Sequence, residues 1–220
     1  MAEFTERNYF IAIAGNIGVG KTTLARALAS QFNWRCYLEP VIDNPYLDDF
    51  YQDMSRWAFH LQVYFLSKRF VSQREIELGT VSCVQDRTIY EDVGVFAATL
   101  HRRGHLVGRD WDNYRDLFDA MTEYLQPPDL VIYLRCDVDT LLKRIQARGR
   151  PSEATIARDY LAELNDAYET WINSAASKFR VATLETGHDA ELDKDQVLQQ
   201  CLEILRLKLQ LEMPLSNGTA

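Results

Sequence analysis

Five short apolar runs punctuate the chain, near residues 9–14, 35–38, 81–85, 130–135 and 180–184. Between most of them lie long stretches in which apolar positions recur every three to four residues, the period of an amphipathic helix. Unbroken apolar runs of this length suit strands covered on both faces, and helices between such strands make the pairing parallel with right-handed crossovers. The pattern therefore predicts an α/β fold with an open five-stranded parallel sheet flanked by helices. The longest helical pattern, over residues 54–77, carries the aromatics Trp57, Phe59, Tyr64, Phe65 and Phe70, most of them expected in the core. A second covers residues 111–124. Residues 189–211 read as a closing helix, and the tail, residues 213–220, is expected to be disordered.

Composition bounds the organisation. With 220 residues, 47% of them hydrophobic, and neither repeats nor a linker-like shift in composition, one domain over residues 1–220 is expected. The net charge of −8, from 24 basic against 32 acidic residues, argues against a nucleic-acid partner, which needs a basic face. The polar start over residues 1–8 has no basic-then-apolar leader pattern, and no apolar run approaches the ~18 residues of a membrane span. A cytoplasmic protein without a membrane partner is expected. Cys36, Cys83, Cys136 and Cys201 are too dispersed for zinc spacing or a disulfide framework and read as small core residues; His60, His101, His105 and His188 form no metal motif.

In an open parallel sheet, ligands bind beyond the carboxyl ends of the strands. The first strand runs directly into Gly15, Asn16, Ile17, Gly18, Val19, Gly20, Lys21, Thr22 and Thr23, the G-x-x-x-x-G-K-[ST] pattern, and a helix-forming run follows. Its glycines let amides turn toward an anion, the helix N-terminus adds partial positive charge, Lys21 reaches the β- and γ-phosphates, and Thr22 is placed to ligate Mg²⁺. ATP and Mg²⁺ are the implied cofactors.

The other strand ends are also polar. Glu39, fixed by Pro40, sits where a carboxylate can accept a proton from an attacking hydroxyl, although a single Glu-Pro pair equally suits a solvated strand end. Asp86 occupies the position of a second acidic group for Mg²⁺, and Arg87 suits a phosphate. Arg144, Arg148 and Arg150, followed by Pro151, read as an arginine-rich lid over residues 144–156 that closes on a triphosphate, or else as a solvated basic helix end. Ala58, Gln62, Phe65 and Arg69 share one helical stripe suited to holding a flat heterocycle; periodicity alone would also allow Gln62 and Arg69 to lie at the solvent edge.

Taken together these residues resemble one family. The phosphate loop, Glu39-Pro40, Asn44-Pro45-Tyr46-Leu47, Trp57-Ala58-Phe59-His60-Leu61-Gln62, Asp86-Arg87-Thr88-Ile89-Tyr90-Glu91-Asp92 and Arg148-Gly149-Arg150 occur in the order found in deoxynucleoside kinases, over residues 9–171. The resemblance is to the bacterial deoxyadenosine, deoxycytidine and deoxyguanosine kinases. It implies a P-loop kinase fold and a homodimer packed through helices, with the helices at 54–77 and 111–124 as candidate faces. It also implies that Glu39 is the general base for the nucleoside 5′-hydroxyl and that Arg87 lies beside that hydroxyl and the phosphoryl group. By the same resemblance Gln62 binds the base, and Tyr51 and Glu153 hold the sugar 3′-hydroxyl. Where members often have Glu-Arg-Ser, this chain has Asp86-Arg87-Thr88.

Arg69 and Asp92 occupy the positions at which cytosine- and purine-accepting members carry the same residues. A pair of this kind presents a donor and an acceptor, and leaving it unmatched would disfavour thymine by ~1–3 kcal/mol. The expected reaction is γ-phosphoryl transfer from ATP to the 5′-hydroxyl of a deoxynucleoside, in nucleotide salvage. Deoxyadenosine or deoxycytidine is favoured and deoxyguanosine is a further candidate. Two alternatives keep the phosphate loop: a nucleoside monophosphate kinase, which would need basic groups for the acceptor phosphate, and a non-catalytic nucleotide switch.

Overall fold

The computed structural model describes residues 7–39, 44–187, 189 and 192–210. Residues 1–6, Pro40, His188 and the tail at 213–220 lie outside the described residues.

The chain begins with strand β1 (Phe10–Gly15), helix α1 (Lys21–Phe32) and strand β2 (Arg35–Tyr37). Two helices, α2 (Leu47–Gln52) and α3 (Met54–Leu78), lead to β3 (Cys83–Asp86). A short helix α4 (Ile89–Glu91) opens into a π-helical turn (Asp92–Ala97) that continues as α5 (Ala98–Arg102), and α6 (Arg109–Thr122) precedes β4 (Leu130–Arg135). The chain then forms α7 (Val138–Arg148), a 3-10 turn (Pro151–Glu153), α8 (Arg158–Ala175), β5 (Val181–Glu185) and α9 (Lys194–Leu209).

The five strands are all parallel in the order β2-β3-β1-β4-β5. β1 and β4 fill the centre, with Ile11, Ala12, Ile13, Ala14 and Leu130 fully buried, as expected for strands covered on both faces. The edge strand β5 instead alternates buried and exposed positions. α3 packs against α6, α7 against α8, and α1 against α9. Of the α3 aromatics only Phe65 is buried; Trp57, Phe59, Tyr64 and Phe70 are partly buried and pack on the core. Each large side chain withdrawn from water in this way contributes ~1.5–3 kcal/mol.

Helix ends follow their caps. The Asp53 carboxylate accepts from the Arg56 amide and starts α3, and Asp137 and Asp193 do the same for α7 and α9. The Asp193 cap is why the closing helix begins at Lys194 and not at the expected 189. α6 is shifted two residues toward the N-terminus of its predicted span and starts after Gly108. Cys83, Cys136 and Cys201 are buried free thiols, and Cys36 is partly buried. His101 stacks on Trp111 and His105 bonds Ser55, and among the described residues no cluster of His, Cys, Asp and Glu could hold a metal. No described helix is long and apolar enough to cross a membrane.

Strand register positions the polar residues. Ile13 lies beside Asp86, and Tyr37 lies beside Gln85. Two residues past that second pair, Glu39 and Arg87 face each other at the carboxyl edge.

Candidate active site

The loop after β1 is shaped by its glycines. Gly15, Gly18 and Gly20 all have positive φ, and a Cβ on Gly15 would lie 2.7 Å from the Leu134 carbonyl oxygen. Asn16 pins the loop from behind: its Nδ2 donates to Leu161 O at 2.9 Å and to Asn165 Oδ1 at 2.6 Å. Val19 is buried in the core. Gly15, Asn16 and Val19 thus shape the loop, while Ile17, Gly18, Gly20, Lys21, Thr22 and Thr23 line the cavity in front of it.

Lys21 is buried and its Nζ donates to Asn16 O at 3.0 Å. Burial, then the nearby Arg87 charge, lowers its ammonium to about 8. Thr22 Oγ1 donates to Asp86 Oδ2 at 2.5 Å, and Asp86 Oδ1 is buried without a partner. Burial pushes the Asp86 carboxyl up against the pull of Lys21. A hydroxyl and a carboxylate with a vacant lone pair form a hard-oxygen set that fits Mg²⁺ held partly by phosphate oxygens.

The cavity has a volume of about 610 Å³ and runs from the phosphate loop to α3. Glu39, Tyr51, Gln62, Phe65, Arg69, Arg87, Asp92 and Glu153, the residues expected to meet the acceptor, all line it. The stripe on α3 therefore faces inward, and Gln62, Phe65 and Arg69 are buried, not at a solvent edge.

An ionic chain occupies the floor of the cavity. Arg87 Nη1 donates to Glu39 Oε1 at 3.0 Å, Arg69 Nη2 donates to the same oxygen at 2.6 Å, and Arg69 Nη1 donates to Asp92 Oδ1. Burial alone would raise the Glu39 carboxyl, but Arg87, then Arg69 and Lys21, hold it below its ordinary range. Burial pushes Asp92 up to about 6 despite its Arg69 partner. Aromatic faces back both guanidinium groups: Arg69 lies 4.8 Å from the Phe65 ring centroid and Arg87 lies 4.2 Å from that of Phe96.

The lid arginines separate. Arg144 lies inside α7 and not in a mobile segment: its guanidinium donates to Thr186 O at 2.7 Å, Thr186 Oγ1 at 2.9 Å and Val19 O at 3.3 Å. It lines the cavity while tying the phosphate loop to the segment after β5. The non-helical stretch starts at Gly149. Arg148 and Arg150 both pair with Glu153, the latter at 3.2 Å, so the residue expected at the sugar is joined to the lid.

Some cavity residues were not anticipated. Phe96 follows from the π-helical turn, which has no simple sequence pattern and is often found at functional sites. Gly94 in that turn is required by close packing, since a Cβ there would meet Trp171 Cδ1 at 2.3 Å. Tyr160 on α8, and Leu192 and Lys194 beside α9, also reach the cavity. Arg87 itself has φ +67°, a left-handed conformation stabilised by its amide donating to Ile13 O at 3.0 Å. Directly after it, Glu91 accepts from the Thr88 amide at 2.8 Å and from Tyr168 Oη at 2.7 Å. Thr88-x-x-Glu91 is a capping box and could have been read from the sequence.

Comparison with known proteins meets this geometry. The sequence model of the deoxynucleoside kinases matches residues 11–206. The chain belongs to the deoxynucleoside kinase family. Among similar proteins, the deoxyadenosine/deoxycytidine kinase of Bacillus subtilis (strain 168) is 44% identical over 169 residues, 76% of this chain and 78% of that protein. The deoxyadenosine kinase of Dictyostelium discoideum is 38% identical over 210 residues, 94% of this chain and 85% of that protein. The solved deoxyadenosine kinase of M. mycoides with products dCMP and a flexible dCDP bound superposes with a TM-score of 0.80 at 29% identity, over 90% of this chain and 99% of that one. The same enzyme with bound dATP gives 0.79 at 28% identity. This deoxynucleoside kinase is therefore a phosphotransferase, and its acceptor is a deoxynucleoside.

Proposed function

We propose that this kinase transfers the γ-phosphoryl of ATP in line to the 5′-hydroxyl of a deoxynucleoside whose base carries an exocyclic amine, favouring deoxyadenosine or deoxycytidine over deoxyguanosine. One observation carries the base preference. Gln62 Oε1 and Asp92 Oδ2, on two side chains that line the cavity, are buried acceptors without partners. An adenine or cytosine amine gives such acceptors a donor, whereas the thymine O4 would meet them acceptor to acceptor.

Glu39 takes the hydroxyl proton, because its strand-end position brings it to Arg87 and the loop. Lys21, Arg87, Arg148 and Arg150 neutralise phosphoryl charge, and Arg144 holds the loop that presents the donor. Tyr51 and Glu153 receive the sugar 3′-hydroxyl, which makes lid closure depend on a correctly seated acceptor through the Glu153 pairs with Arg148 and Arg150. Thr22 and Asp86 are the groups that would hold Mg²⁺, which supplies charge neutralisation between the β- and γ-phosphates when bound. One kinase domain over the chain, working in the cytoplasm as a homodimer in nucleotide salvage, completes the reading. Exposed Val71 and Leu78 on α3 and Tyr124 just past α6 support the homodimer.

A panel of the four deoxynucleosides with ATP and Mg²⁺ tests the assignment. The expected result is a kcat/KM for deoxyadenosine or deoxycytidine at least about tenfold above that for thymidine. Equal values, or ATP turnover that ignores added deoxynucleoside, would refute it. Sedimentation of the purified chain tests the dimer.

A further inference from the structure

Arg69 stands between the two ends of the acceptor. Its Nη2 holds Glu39 Oε1 at 2.6 Å, its Nη1 holds Asp92 Oδ1, and the three side chains are 3%, 12% and 2% exposed. Because Arg87 donates to that same Glu39 oxygen, two cations converge on one carboxylate. A carboxylate held in this way is stabilised as an anion and is a weak proton acceptor. At the other end, Arg69 Nε and Asp92 Oδ2 are buried without partners. They form an unmatched donor and acceptor on one ion pair, the complement of a ring nitrogen adjoining an exocyclic amine, which adenine and cytosine both present.

We propose that Arg69 is a positioning residue for Glu39: a base seated on Asp92 and Arg69 draws the guanidinium away from Glu39 and frees that carboxylate to accept the 5′-hydroxyl proton. This rests on the reading of Glu39 as the base. In the step, the hydroxyl O–H breaks and its proton passes to Glu39 as the oxygen bonds to the γ-phosphorus. The bond to the β–γ bridging oxygen breaks, and its electron pair leaves on the diphosphate. Until a base arrives, neither water nor a bare sugar meets an active proton acceptor.

Several other groups face Glu39. Lys21 at the start of α1 and Arg150 near the lid add cations, and Asp86 at the end of β3 adds a carboxyl. The phenols of Tyr51 on α2 and Tyr168 on α8 are driven well above their ordinary range by burial and stay neutral. All of these are common to the variants below, so their effects cancel.

The test is the pH dependence of kcat/KM, which reports the free enzyme, and of kcat, which reports the complex. Compared in an Asp92→Asn background, so that the Asp92 carboxyl at about 6 does not contribute, Arg69→Gln removes a cation from Glu39, and the acidic limb of kcat/KM is expected to rise by about one pH unit. Asp92→Asn alone removes that carboxyl and leaves Arg69 to Glu39, so its limb is expected to lie below that of the parent and to rise only when Arg69→Gln is added. Arg69→Lys keeps the charge, returns the limb toward the parent position, and serves as the charge test if Arg69→Gln does not fold. In the parent the limb of kcat should lie above that of kcat/KM, and the gap should close in Arg69→Gln. If both variants only raise KM and leave every limb in place, Arg69 merely grips the base and the inference is overturned. If Glu39→Gln turns over as fast as the parent, the functional reading itself fails, a result distinct from unmoved limbs.

Discussion

At the end of the cavity formed by the loop after β1, the lining residues Ile17, Gly18, Gly20, Lys21, Thr22 and Thr23 come from one contiguous stretch whose backbone turns at Gly15, Gly18 and Gly20. At the other end, the proposed acceptor end, the lining is made of side chains gathered from α2, α3, the end of β3, the π-helical turn and the segment after α7. The loop end is fixed by backbone conformation, an arrangement suited to a phosphate cradle that reads no base. The other end is fixed by ion pairing, with Gln62 Oε1, Arg69 Nε and Asp92 Oδ2 buried and unmatched. Backbone conformation and ion pairing thus organise opposite ends of one cavity.

The sharpest way to break this contrast is to remove one chemical group at each end. Glu39→Gln keeps the shape of the acceptor end and is expected to lower kcat by a factor on the order of 10²–10⁴ in a steady-state assay. Lys21→Ala at the donor end is expected to lower kcat/KM by a factor on the order of 10²–10³, and equally for every deoxynucleoside. A loss that varied with the acceptor would show that the two ends are not independent.

Next in size is selectivity. Gln62→Leu should cut the preference for deoxyadenosine or deoxycytidine over thymidine by about 10- to 100-fold, measured as a ratio of kcat/KM, with little change in ATP binding. Smaller still is Gly15→Ala. The added Cβ meets the Leu134 carbonyl oxygen, and at ~1–3 kcal/mol of strain the melting temperature should fall by roughly 2–12 °C.

The smallest effect is proton linkage. Lys21 is lowered to about 8 in the folded protein, below its unfolded value, so the unfolded chain binds more protons between those values. Its burial therefore costs stability at neutral pH, and that cost is relieved as pH rises from about 8 toward 10.5. On the proposed reading, a triphosphate bound at Lys21 would restore the charge. Titration of ATP at pH 8.5 in buffers of different ionisation enthalpy should reveal uptake of a fraction of a proton, and none should appear with Lys21→Ala.

The same contrast explains what could be read from sequence. The shape of the loop was legible because it lies in contiguous glycine-bearing backbone, and β1 and β4 were legible because central parallel strands are continuously apolar, whereas the edge strands β2 and β5 are partly exposed. Glu39, Gln62, Arg69 and Asp92 carry no local pattern that sets them apart from solvated polar residues. They were picked out by position after a strand, by helical spacing and by resemblance to a family. What escaped was the use of one group by two others. No spacing rule indicates that Arg69 would bridge Glu39 and Asp92, that Arg144 would bind carbonyls of the loop in place of a mobile lid role, or that residues 92–97 would widen into a π-helical turn carrying Phe96.

Arg87 has one consequence for anyone improving this enzyme. Its left-handed backbone is a conformation that glycine adopts without strain, so Arg87→Gly removes both the strain and the guanidinium in one change. The relieved strain of ~1–3 kcal/mol is outweighed by the ~3–5 kcal/mol cost of breaking the buried pair between Arg87 and Glu39, so a library sorted by heat challenge alone is expected to retain Arg87. Backbone strain at this position is thus held in place by the charges around it.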